Sequence, residues 1–176
     1  MPDGKTHDKI TVIGATVAAP VWWHFAQTPV DYTLGVAFVG ATLFSGMMLS
    51  PDLDLNSSIY HRWGPFKYLW WPYQKIIPHR SRLSHSFFLA PILRVVYFLF
   101  IMWALFRIVT WGLTFAFVIK RNELSLQIWD GMFQWAETHL AHTEWMVAGI
   151  VLGAALHVGA DICWSAFKRR RRRRRR

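Results

Sequence analysis

The stretch that decides the fold is Ser50–Ser86, SPDLDLNSSIYHRWGPFKYLWWPYQKIIPHRSRLSHS. It is a long segment unlike a membrane span, set between apolar runs. It carries Asp52 and Asp54 two residues apart, and His79 and His85 six apart. Carboxylate oxygen and imidazole nitrogen are donors that zinc, manganese and iron all accept. The expectation is that this loop supplies most of a metal site, held at one face of a membrane by the helices around it.

Working towards the N-terminus, Ile10–Ala26 and Tyr32–Leu49 contain no Asp, Glu, Lys or Arg. Each is close to the lower limit of roughly 17–25 residues for a spanning helix. The short QTPVD connection between them predicts an antiparallel hairpin, with spans over about 10–26 and 31–49. Pro20 is tolerable inside a bundle. Trp22, Trp23 and Tyr32 gather near that turn, as an aromatic belt would.

On the C-terminal side, Phe87–Ile119 is apolar except for Arg94 and Arg107. As one helix it would be about 50 Å long, more than the roughly 30 Å hydrocarbon core but too short for two crossings. One span over about 87–110, projecting beyond the membrane, is expected. Lys120–Glu144 is polar with an apolar stripe at Leu124, Ile128, Met132 and Trp135, the pattern of an interfacial helix. Trp145–Phe167 forms the last span, interrupted by His157 and Asp161, and Gly149 with Gly153 lets another helix pack closely. The fold class expected is therefore all-α. It is a four-span transmembrane bundle with a cytoplasmic loop between spans 2 and 3 and an interfacial helix between spans 3 and 4.

Charge tests that topology. The chain is 53% apolar with eleven tryptophans, and its formal charge is +10. Lys168 and Arg169–Arg176 supply nine of those charges, leaving a body of +1. This tail, 168–176, is expected to be disordered when free and to meet anionic lipid headgroups, at roughly 1 kcal/mol per Arg. Nucleic-acid binding is not expected, because no recognition signature accompanies the charge. The organising loop holds Arg62, Lys67, Lys75, Arg80 and Arg82, whereas Lys120–Glu144 has two cations against four carboxylates. Four spans place the N-terminus, the loop and the tail on one side, which the positive-inside rule makes cytoplasmic. The single Cys163 permits no internal disulfide. The opening MPDGKTHDK mixes both charges and does not read as a cleavable signal.

The same topology brings donors together. His7 precedes the first span, Asp52 and Asp54 follow the second, and His85 opens the third with Ser84 as a candidate N-cap. His157 and Asp161, spaced i and i+4, share a helical face in the tail-proximal half of the fourth. With His79 these exceed the four ligands of one zinc, so one ion with supporting groups, or two ions, would use them. Taken singly they have plainer readings. Asp52-Leu53-Asp54 could be a solvated helix end, His7 a surface residue, and His79 with Arg80 contacts to lipid phosphate. His157 with Asp161 is harder to dismiss, since ionisable groups within a span are costly. His139 and His142 fall at the opposite face and are read as interfacial, and His24 lies away from the cluster. His61 is kept as a supporting group, and Trp63, Trp70, Trp71 and Tyr73 are expected in the headgroup zone.

THDKIT near the start, SPDLD, the YHRWGPFKYLWWPYQKIIPHRSRLSHS run and the late HVGAD together resemble a family of uncharacterised bacterial metal-binding membrane proteins (DUF2227-like), common in cyanobacteria. The resemblance covers the chain to about residue 165. It implies that His7, Asp52, Asp54, His79, His85, His157 and Asp161 are the polar signature. More distantly, the pattern is similar to membrane-bound metal-dependent hydrolases. The Arg tail has no counterpart in it, and Ser86 stands where the family often has Gly.

The function expected is a metal-dependent hydrolase of a bacterial plasma or internal membrane, acting on a phosphoester or lipid-linked substrate at the cytoplasmic face. Zinc is the first choice of ion, with manganese or iron as alternatives. Asp54 or Asp161, where not ligated, would act as general base, and Arg80 and Arg82 would neutralise substrate phosphate. The competing expectation is a non-catalytic membrane protein in which the metal staples helix ends together.

Overall fold

In the first helix, α1 (Gly4–Phe25), the buried residues are His7, Thr11, Ala15 and Trp22. Their spacing of three or four, or multiples of it, puts them on one helical face. The computed structural model describes residues 4–26, 31–77, 89–117 and 121–173, with side chains for all of these except 113–117, 121–126 and 172. Among them there are seven α-helices, two 3₁₀ segments and no strand.

The partners of the α1 stripe are α2 (Tyr32–Met48) and α7 (Leu140–Arg173). On α7, Gly149, Gly153, His157 and Asp161 recur every four residues and are all buried, a single line along one face. The two glycines let α2 approach. A Cβ on Gly153 would lie 2.5 Å from the Thr42 carbonyl oxygen and 2.8 Å from the Gly46 nitrogen, and one on Gly149 would strike the Phe38 carbonyl. Small residues at such a seam allow backbones to touch, as the sequence spacing predicts. Phe38 meets Gly149, Thr42 meets Gly153 and Ser50 meets His157, so α2 and α7 run parallel. Thr11 packs on Gly46 and Trp22 on Gly35, so α1 runs antiparallel to both.

The chain from Pro51 to Ile76 is not an open loop. It folds as a 3₁₀ turn (Pro51–Asp54), α3 (Ser58–Arg62), a second 3₁₀ segment (Gly64–Trp70) and α4 (Trp71–Ile76). Gly64, at φ 55°, makes the left-handed step between α3 and the segment after it. A helix leaves its last carbonyls without internal partners, and this loop satisfies those of α2 with side chains. Arg62 Nη1 donates to Met47 O (2.7 Å) and Trp63 Nε1 donates to Met48 O (3.1 Å). Arg94 Nη1, from α5 (Leu89–Phe117), donates to Leu49 O at 2.9 Å. Arg62 also forks onto Asp8 of α1, at 2.6 and 3.1 Å.

Leu49, Leu53, Ile59, Tyr60, Trp70, Tyr73 and Ile77 form the core under the loop. Each such side chain removed from water contributes about 1.5–3 kcal/mol, enough to fold a segment with little regular helix of its own. Two expectations change here. Trp70 and Tyr73, placed by sequence in the headgroup zone, are only 2% exposed, because the loop closes on α5 and needs large rings to fill the gap. Trp71, at 56% exposed, does face outwards.

Three helical stretches are long and apolar enough to cross a membrane: Tyr32–Asp54, Leu89–Gly112 and Leu140–Arg171. α1 is not one of these, since its first turns carry Lys5, Asp8 and Lys9. The last span begins earlier than the sequence suggests. α6 (Arg121–Thr138) passes into α7 at His139 rather than at Trp145. Backbone bonds run through the join, His139 N to Trp135 O and Thr143 N to His139 O. α7 also continues as helix through Arg173, past the Phe167 boundary at which the sequence reading begins a disordered tail.

Candidate metal centre

Three elements meet where α1 begins, α2 ends and α7 is two-thirds complete. α1 brings His7, the 3₁₀ turn after α2 brings Asp52, and α7 brings His157 with Asp161. His7 and His157 are each 1% exposed. Their rings stack with centroids 3.7 Å apart and planes 15° from parallel.

Around that stack, His7 Nε2 stands 3.4 Å from Asp161 Oδ1, and His157 Nε2 stands 3.5 Å from Asp52 Oδ2 and 3.8 Å from Asp161 Oδ2. These separations are close for charges, yet His157 Nε2 and both Asp161 oxygens make no hydrogen bond among the described residues. A buried polar atom normally has such a partner. Two ligands of a tetrahedral ion, each bonded at about 2.1 Å, stand about 3.4 Å apart. The spacing is therefore that of groups arranged around a cation rather than bonded to one another. One ligand atom each from His7, Asp52 and His157 falls within 4.8 Å of the others, the arrangement a metal ion needs. Imidazole and carboxylate also have the donor chemistry for a divalent ion, so the residues fit the group.

Ser50 sets the orientation. Its Oγ caps the 3₁₀ turn by accepting from Asp52 N at 3.3 Å, and it lies 3.1 Å from His157 Nδ1. A proton on Nδ1 donated to Ser50 leaves the Nε2 lone pair facing Asp52 and Asp161. Metal-binding histidines are commonly fixed this way through their second nitrogen. Electrostatics act in the same direction on His7. Its pKa is lowered, first by burial and then by the neighbouring His157, against a smaller upward pull from Asp161, Asp52 and Asp8. A neutral imidazole is the form that binds metal.

The remaining candidates divide. Asp54 is buried, 6% exposed, on the same 3₁₀ turn, but with Asp52 it is within electrostatic reach of Arg94 of α5. His79, Arg80, Arg82 and His85 lie outside the described residues. His61 is exposed and set against Tyr60. His142 is at the other end of α2 and α7, with Nε2 2.7 Å from Thr33 Oγ1, and His139 stacks on Trp135. Sequence reasoning passed over Ser50, Arg62 and Arg94. For Arg94 the signal was present, a guanidinium inside an apolar helix. Nothing local in the sequence marks Ser50, whose partner arrives from a distant helix.

A family model described as an uncharacterized metal-binding protein (DUF2227) matches residues 2–171. The chain belongs to that family. No curated protein and no solved structure matches it. The DUF2227 match covers every element that contributes to the centre, from His7 to Asp161.

Proposed function

We propose that this DUF2227 protein is an integral membrane protein of four spans, whose centre holds a divalent metal ion at the cytoplasmic face and hydrolyses a phosphoester or lipid-linked substrate there. The observation that carries the metal reading is the His7–Asp52–His157–Asp161 cluster, in which buried His157 Nε2 and both Asp161 oxygens make no hydrogen bond among the described residues. Zinc is the first choice for this donor set, with manganese or iron as alternatives. Asp54 with His79 and His85 would serve a second ion.

α1 is the fourth span in this reading. It packs against two membrane-length helices while turning Ile13, Val17, Val21 and Phe25 outwards. Parallel α2 and α7 suit a chain that crosses once more between them through α5, with α6 lying at the interface. Loop cations then set the centre's side as cytoplasmic, where Lys168–Arg176 meets anionic headgroups.

When bound, the ion supplies Lewis-acid activation of water and of the phosphoryl oxygen. Asp161, which two imidazoles hold within 4 Å, or Asp54 takes the proton from the attacking water. Arg80 and Arg82 neutralise the substrate phosphate.

A specific observation favours a second reading. His7 and His157 are almost wholly enclosed, and a closed site with ligands from three elements is also how a structural ion staples a fold. Elemental analysis of the purified protein beside His157→Ala and Asp52→Ala variants tests the centre. About one or two ions per chain in the parent and loss in both variants are expected. No metal in the parent, or unchanged metal in both variants, removes it. Turnover of a model phosphodiester by the loaded parent, lost in Asp161→Asn, then separates the hydrolase from the staple.

A further inference from the structure

The guanidinium of Arg94 is 1% exposed. It sits in the first two turns of α5, an apolar helix with few buried residues, and a buried charge in such a helix is costly unless it is answered. The answers come from the layer around the metal centre. Nη1 donates to Leu49 O at 2.9 Å. Leu49 is followed by Ser50, which holds His157, and then by the turn that carries Asp52 and Asp54. Tyr73 shares a hydrogen bond with the same guanidinium, and the carboxylates in its electrostatic reach are Asp54 and Asp52.

Among the described residues, Asp52, Asp54 and Asp161 bring three negative charges to this end of the bundle. Of the arginines and lysines whose side chains are described, Arg94 alone is buried, and Arg62 is engaged with Asp8 at the rim. We propose that Arg94 is a positioning residue of the metal centre: it anchors the Ser50–Asp54 turn and sets a fixed positive charge beside the carboxylates that the turn carries. This rests on the metal reading above and adds a residue from a fourth element that contributes no ligand.

The test uses the full chain in detergent micelles, with Co²⁺ as probe and its visible absorption bands as the report on ligand geometry. Circular dichroism checks that each variant is folded. Parent protein that binds no Co²⁺ removes the centre itself, and the proposal with it. If the parent binds, Arg94→Gln is expected to weaken Co²⁺ at least about tenfold and to shift the bands, the size of effect seen when groups that orient ligands are lost. Arg94→Lys, which keeps the charge, is expected to recover the affinity to within about threefold of the parent. A merely structural arginine would leave the bands of any folded variant unchanged. Folded Arg94→Gln with the parent's affinity and spectrum overturns the proposal, as does Arg94→Lys no better than Arg94→Gln. Should Arg94→Gln fail to fold, Arg94→Lys decides alone. Parent-like binding sustains the proposal, and a tenfold loss in a fully helical Arg94→Lys overturns it.

Discussion

Ser50 Oγ lies 3.1 Å from His157 Nδ1 across 107 residues of chain. That contact joins the end of α2 to the ligand-bearing face of α7, and the same oxygen caps the turn that presents Asp52. Two functions thus fall on one hydroxyl that is fully buried.

Ser50→Ala should therefore affect metal binding more than folding. Loss of a buried hydrogen bond and a turn cap costs about 1–2 kcal/mol. Loss of the group that orients a histidine ligand lowers metal affinity by about 10–100-fold. Competition against a chromogenic chelator measures the second effect, and thermal melting of the metal-free protein measures the first. Parent-like affinity in Ser50→Ala would show that His157 needs no such partner.

Acid should destabilise the metal-free protein through His7. Its pKa in the fold is lowered from 6.5, by burial and then by His157. A group of this kind takes up fewer protons folded than unfolded, so stability is complete above the unfolded value. It falls as pH drops from there towards the folded pKa. Metal affinity falls in the same direction, because a proton competes for the ligand nitrogen. Melting temperatures of metal-free parent should decline between pH 7.5 and pH 5.5, and His7→Gln should flatten that decline. An equal slope in both proteins would assign the acid sensitivity elsewhere.

Much of this centre was legible because helical spacing is short-range arithmetic. Gly149, Gly153, His157 and Asp161 can be read as one face without a structure. The α1–α2 hairpin then brings His7 and Asp52 to the same end. What escaped depends on partners that no local pattern marks. Arg62, Trp63 and Arg94 cap the α2 carbonyls, yet in sequence they look like loop cations, an interfacial ring and a break in an apolar run. Trp70 and Tyr73 have interfacial chemistry but are buried in the loop core. The α6–α7 boundary moved because Leu140–Glu144, polar in composition, keeps its backbone bonds through His139.

Sidedness can be measured with the native thiol. Cys163 is exposed two residues beyond Asp161, so a four-span chain places it at the cytoplasmic end. A membrane-impermeant maleimide should label it only after cells are permeabilised. In a Cys163→Ser background, His24→Cys, at the far end of α1, should be labelled in intact cells. Labelling of both positions from the same side would mean that α1 does not cross.

The glycines of α7 offer a test of whether the centre depends on helix approach rather than on ligands alone. A Cβ at Gly153 would meet the Thr42 carbonyl and the Gly46 nitrogen, which are backbone atoms and cannot rotate away, whereas one at Gly159 meets nothing within 4 Å. Overpacking a tight seam costs about 1–3 kcal/mol, while replacing an unneeded helix glycine with alanine gains about 0.5–1 kcal/mol. Gly153→Ala should lower the melting temperature and, by pushing α2 from α7, separate Asp52 from His157 and reduce metal content. Gly159→Ala, two residues from a ligand and closer to the centre in sequence, should melt no lower than the parent and keep its metal. If both variants lose metal alike, proximity to His157 matters and the seam does not. If neither does, α2 and α7 are not held at the distance that the backbone contacts imply.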